Sequence, residues 1–211
     1  MTWMAADREP IAMGSVEIAL ERFLGIGGLN AVEGEVVFHP RVNAVSLDFR
    51  HEMVNYRLFW DAAGRQRFIS ALARYNEDFD SRALVDRHRR TQDVYGRVPA
   101  RIEWQTARFT TPNAAYPTLE LGYRIREGAA FLTVLARAAP IPDASSSGSG
   151  QTESRRMTLF LTRAAAADIA AIFDPSFLAA TLAPPAPPAP PAPLGGEDTE
   201  VESLDSDGAS D

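Results

Sequence analysis

Few residues in this 211-residue chain have the type and spacing that chemistry needs. The three histidines are His39, His51 and His88. None stands near another at the spacing of metal ligands, and no HExxH pair is present. They read as ordinary surface or partly buried histidines. The glycines of "GIGG" (25–28) do not form a phosphate cradle, which needs a strand before, a helix after, and a fixed glycine spacing. They read as a turn or a helix cap. "NEDFD" (76–80) clusters three acids without the ligand ladder of a calcium loop, and "DSDG" (205–208) starts such a loop too near the end to finish it. Both read as solvated acid runs. The serines at 145–147 lie in a Ser/Gly-rich stretch, not in a GxSxG elbow.

Two residue types are missing. All 21 basic residues are arginine, and there is no cysteine. A Schiff-base lysine, a Walker lysine and a kinase-type lysine are therefore excluded. So are disulfides, thiol catalysis and Cys–zinc sites. Paired carboxylates brought from distant strands stay open, but no pair is nominated. The chain is expected to be non-enzymatic, with no metal and no cofactor.

One chemical signal remains. Arginine and aromatic residues interleave in the second half: Arg101, Trp104, Arg108, Phe109, Tyr116, Tyr123, Arg124, Arg126, Phe131 and Arg137. Aromatic faces stack on unpaired bases, and guanidiniums reach phosphates without a duplex groove. Trp104 and Tyr123 fall on the apolar parity of their strands and are expected in the core. Arg101, Arg108, Phe109, Arg124, Arg126, Phe131 and Arg137 are the candidate face for a partner or a single-stranded nucleic acid.

The net charge of −7 is uneven. Seven of the 28 acids lie in Glu197–Asp211, leaving 21 acids against 21 arginines in the body. A neutral body is a poor footprint for duplex DNA. The start, "MTWMAADREPIAMG", has no apolar core of signal-peptide length. The chain as given is expected in the cytoplasm; a leader removed from it would make it exported. No 18-residue apolar run is present, so no membrane insertion is expected.

The elements follow from periodicity. Residues 1–14 are expected to be a loose terminus. "SVEIALERFLGIGG" (15–28) reads as a short helix, with Ser15 as cap and Gly25 as stop, and a strand as the alternative. "GEVVFHP" (34–40) is a strand ended by Pro40. "NAVSLDFRH" alternates, with Val45, Leu47 and Phe49 inward and Ser46, Asp48 and Arg50 outward; "MVNYRLFW" alternates again, and the gap at His51–Glu52 suits a hairpin. Asp61 caps a helix whose face is Phe68, Leu72, Tyr75 and Phe79. It is expected to run to about Asn76, with an extension or restart through "SRALVDRHRR". "VPARIEWQTARF", "PTLELGYRIR", "AAFLTVLAR" and "RMTLFLT" are four more strands, with a tight turn at Glu127–Gly128. Thr162 caps a last helix that Asp174–Pro175 ends, and "FLAATL" adds a turn. "APPAPPAPPAP" (183–193) is a polyproline spacer of about 30 Å, and the acidic segment after it is disordered by composition.

The expected fold is α+β: antiparallel sheet with two amphipathic helices on its apolar face. One domain, 15–182, holds two sheet–helix units of about 15–95 and 96–182, and 183–211 is the tail. "YRLFWDAAGRQRFISAL" (56–72) and "TLFLTRAAAADIAAIFD" (158–174) each run strand, cap, helix at the end of a unit. Two such β-β-β-β-α blocks in tandem resemble the Pur-alpha family of single-stranded nucleic-acid-binding proteins. The resemblance covers 97–174 well and 34–76 in part, and it lies in the order of elements. It implies intertwined repeats whose curved sheets hold nucleic acid through basic and aromatic residues. The expected function is a binding or scaffold module with a projecting tail. Its partner would be a protein or a second copy of the chain, with single-stranded nucleic acid as the alternative.

Overall fold

The computed structural model describes residues 9–21, 28–87, 91–106, 112–142 and 152–183. Gly25–Gly27, His88, Arg108, Phe109, the serines at 145–147 and the tail from Pro184 lie outside them.

A ten-stranded antiparallel sheet runs through both blocks in the order β5-β8-β9-β10-β1-β2-β3-β4-β6-β7. The strands are β1 (Ile11–Glu21), β2 (Leu29–His39), β3 (Ala44–His51), β4 (Val54–Trp60), β5 (Gly96–Pro99), β6 (Arg101–Thr106), β7 (Asn113–Ala115), β8 (Thr118–Arg126), β9 (Ala129–Ala136) and β10 (Met157–Leu161). Among the described residues three α-helices accompany them: α1 (Ala62–Asp80), α2 (Arg163–Phe173) and α3 (Pro175–Leu182).

The segment expected as a helix from Ser15 is strand β1, and it begins within the expected loose terminus. Val16, Ile18 and Leu20 are buried while Glu17 is exposed. That is a period of two, not the helical spacing expected from Ser15 onward. Long-range partners decide between the readings: β1 pairs with β2 from Ile11↔Phe38 to Glu21↔Leu29 and with β10 at Leu20↔Leu159. The register shifts between Ala12 and Gly14, where Gly14 sits at φ 138°. An L side chain rarely adopts that conformation, so the bulge is built on glycine.

"VPARIEWQTARF" is not one strand. It splits at Ala100 into β5, which pairs with β8, and β6, which pairs with β4. These partners lie near opposite ends of the strand order, yet one residue joins β5 to β6. The return path does the same: Tyr116 and Pro117 join β7 to β8, and the Ala100 N–H donates to the Pro117 carbonyl at 3.0 Å. The sheet therefore curls until its ends nearly meet, and this bent hairpin clasps them.

The helices fill the inside of the curl. Asp61 accepts from the Gly64 N–H at 2.7 Å and Thr162 from the Ala165 N–H at 3.1 Å, as N-caps do. Helix α1 packs against β4 and also against β5, β8 and β9; α2 packs against β1, β9, β10 and α1. Helix α1 thus lies largely on strands of the other block, and α2 on strands of both. Trp60, Phe68 and Phe173 meet with ring centroids 5.2–6.4 Å apart at the centre. Tyr75 lies deeper along α1 and donates to the Ala130 carbonyl at 2.9 Å; burial pushes its phenol up to about 12. Arg65 is buried and donates to the Asn43 backbone and side-chain oxygens at 2.7 and 2.9 Å. Asp174 ends α2 and caps α3, which bends away by 53°. Among the described residues, no single helix is long and apolar enough to cross a membrane.

Candidate binding face

With the inner face spent on the core, the outer face carries the polar side chains. Strand pairing sets their alignment. Glu35 lies opposite Asp48, Asp48 opposite Arg57, and Arg57 opposite Glu103, a row of charge across β2, β3, β4 and β6. Arg57 donates from Nε to Asp48 Oδ2 at 2.7 Å, and its NH2 is 2.6 Å from the same oxygen. That hydrogen bond raises the Arg57 pKa. Ser46, buried beneath, donates from Oγ to Asp48 Oδ1 at 2.7 Å.

His39 completes the chain, with Nε2 2.8 Å from Ser46 Oγ. The Ser46 proton goes to a carboxylate, which can only accept, so His39 must donate here and carry its proton on Nε2. Burial, then the Arg57 guanidinium, hold the imidazole below its ordinary pKa. A hydrolase triad has histidine accepting from serine. Here serine is buried, gives its proton to aspartate and receives one from histidine. The arrangement positions Asp48 and Arg57; it does not activate a nucleophile.

Beside this network an open groove of about 810 Å³ crosses the face. The small residues Ala12, Gly14 and Ser15 line one part, Glu33 and Glu35 another, and Asn55, Arg57, Glu103 and Pro112 a third. A second hollow of about 380 Å³ lies over β1 and β2, lined by Glu17, Ala31 and Glu33 among others, and it shares Ser15 and Glu33 with the groove. Glu17 stands directly across from Glu33. Among the described residues, no group of three His, Cys, Asp or Glu could hold a metal ion.

The candidate residues read from sequence fall in separate places. Arg101 lies at the edge of this face, 2.5 Å from Glu103 and over the Phe59 ring at 5.7 Å. Arg124, Arg126 and Phe131 come together on the other half of the sheet. Arg124 pairs in register with Phe131. Arg124 NH1 lies 3.2 Å from Glu21 Oε1, and Arg126 also bonds that oxygen. Arg126 sits over the buried Phe160 ring, which Phe131 meets edge-on at 6.0 Å. Arg137 is apart from them, donating to both oxygens of the buried Glu120 at 2.8 and 3.0 Å. Trp104 and Tyr123 are in the core as expected.

The groove went unseen in sequence, although half of its signal was present. The alternation already put Ser46, Asp48 and Arg50 outward, and a hairpin turn at Glu52–Met53 sets Asp48 opposite Arg57. Glu17 was hidden by the helical reading of β1.

The fold and face define an α+β domain in which one curled antiparallel sheet encloses two helices and leaves an open groove of mixed polar and apolar lining outside. The chain belongs to the family described as "Uncharacterised Treponema protein", which matches residues 10–180. No curated protein and no solved structure matches it.

Proposed function

We propose that the chain is a non-enzymatic binding module that offers the outer face of β1–β4 and β6 to a partner. The observation that carries this reading is the open groove of about 810 Å³ over aligned polar side chains. Binding surfaces are concave, with a few polar groups held in place, and the His39–Ser46–Asp48–Arg57 chain holds such groups rigid. The proline spacer and acidic tail add a second contact from the same chain. Panning a displayed peptide library against the full chain tests the groove. Enrichment should fall sharply for Ser15→Trp, which fills the groove without changing charge. Equal enrichment on both proteins would remove the reading. Deleting 183–211 should weaken partner binding or self-association; no change in either would remove the tail's role.

A second reading, a Pur-like single-strand binder, draws support from the way α1 reaches β5, β8 and β9 of the second block, and α2 reaches β1 of the first besides β9 and β10 of its own. It predicts salt-sensitive binding of single-stranded oligonucleotides, weakened by changing Arg124 and Arg126 together. Absence of binding at low salt by the chain lacking its acidic tail would exclude it.

A further inference from the structure

We infer that the occupant of the outer-face groove is an extended polypeptide segment carrying arginine or lysine side chains; this rests on the binding-face reading above. Shape is the first ground. Two hollows abut through Ser15 and Glu33 and run over β1–β4 and β6, which suits an extended chain better than a compact ligand. Ala12, Gly14 and Ser15 leave room for its backbone at the bulge. Asn55, opposite Gln105 in the ladder, offers amide groups of the kind that hydrogen-bond peptide units.

Charge is the second ground. Asp48 is matched by Arg57 and Glu103 by Arg101. No described residue makes an ion pair with Glu17, Glu33 or Glu35, although Arg57 attracts Glu35 from its pair with Asp48, and Arg50 is the one described base of the lining outside those pairs. Glu17 faces Glu33 directly, an arrangement that disfavours the sheet. A guanidinium or ammonium between them would turn that repulsion into attraction, and phosphates or the chain's own acidic tail would be repelled.

Fluorescence anisotropy with labelled peptides alternating glycine with arginine, glutamine or glutamate tests this on the full chain. The Gly-Arg peptide should bind, the Gly-Gln peptide about tenfold more weakly, and the Gly-Glu peptide not measurably. Ser15→Trp and the double variant Glu33→Gln/Glu35→Gln should each weaken Gly-Arg binding about tenfold with no loss of melting temperature. The acidic tail also attracts basic peptides, so Gly-Arg binding untouched by both variants would overturn the inference. Binding of Gly-Gln or Gly-Glu as tight as Gly-Arg and sensitive to Ser15→Trp would overturn the charge assignment while leaving the binding face standing. Spermine binding as tightly as the Gly-Arg peptide, with the same sensitivity to Ser15→Trp, would replace the polypeptide by a small polycation. If no peptide binds in a manner sensitive to Ser15→Trp, the inference and the binding face fall together.

Discussion

The outer surface of one sheet behaves in two ways. Over β8, β9 and β10 it is closed: Thr133, Leu135 and Phe160 are buried although they point away from the helices, and the chain at Thr91–Gln92 lies across Gly122. Charges there are matched within the fold, Arg124 and Arg126 by Glu21, Arg137 by Glu120. Over β1–β4 and β6 it is open, and among the described residues Glu17 and Glu33 have no ion-pair partner, while Glu35 feels only the charge of Arg57, which is already paired with Asp48. The arginine-rich half is thus the internally neutralised half. A count of arginines along the chain does not predict a basic face, because register decides which carboxylate each one meets.

The sharpest way to break this contrast is at the glycines and small residues of the two halves. A Cβ on Gly122 would lie 1.9 Å from the Thr91 carbonyl oxygen and 2.6 Å from Gln92 backbone atoms. Backbone cannot swing aside as a side-chain tip can. Gly122→Val should cost about 4 kcal/mol or more in urea unfolding, or release the 91–95 segment to rapid amide exchange. Ser15→Val on the open half should stay within about 0.5 kcal/mol. Similar losses at both positions would mean that the open half is covered too.

Next in size is the buried carboxylate Glu120, which holds Arg137 by two hydrogen bonds and lies 3.5 Å from Arg97. Its removal leaves two guanidiniums that can rehydrate, since both are largely exposed. Glu120→Ala is expected to cost about 2 kcal/mol. Glu103→Ala, which breaks the more exposed pair with Arg101, should cost less than about 1 kcal/mol. The reverse order in chemical denaturation would contradict the assignment of closed and open halves.

What the sequence made legible follows from how local each signal is. Asp61 and Thr162 cap helices within three residues of themselves, and both caps formed as read. The Glu127–Gly128 turn, with φ of 51° and 80°, is equally local. Helix α1 ran on to Asp80 rather than Asn76, and "FLAATL" became the eight-residue helix α3. The strand identity of β1 was not legible, because in the sequence Ile18 with Arg22 and Leu20 with Phe23 also fall at helical spacing, and only pairing with β2 and β10 settles it. Nor was the break at Ala100, since nothing in "VPARIEW" tells that its two halves have partners at opposite ends of the sheet. The groove needed both facts, and so could not be read in advance.

A smaller effect concerns protons. His51, buried where the β3–β4 hairpin turns, has its pKa lowered by burial, against the raising influence of Glu52 and the Glu21 backbone. His39 shifts the same way from its half-buried place on the open face. The unfolded chain takes these protons near pH 6.5, the native chain only at lower pH. Their contribution is therefore complete above about pH 6.5 and is lost as pH falls through the depressed native values. His51→Gln should flatten the fall in melting temperature between pH 7.5 and 5 more than His39→Gln does, because its imidazole is the more buried. A slope unchanged by either substitution would assign the acid sensitivity to carboxylates.

The smallest expected effect separates the halves most directly. Glu17 and Glu33 face each other across β1 and β2 with no matching base among the described residues, whereas Glu21, two repeats of the alternation further along the same strand, holds two arginines. Like charges directly opposite weaken a sheet by a few tenths of a kcal/mol to about 1 kcal/mol. Glu17→Gln should then stabilise the free protein by about 0.3 kcal/mol at low salt, with the gain fading as salt screens the pair. Glu21→Gln should destabilise it under the same conditions. Opposite signs for two glutamates on one exposed strand face would locate the unmatched charge at the groove, and a Glu17→Gln that destabilises would show that Glu17 already has a counter-charge in the free protein.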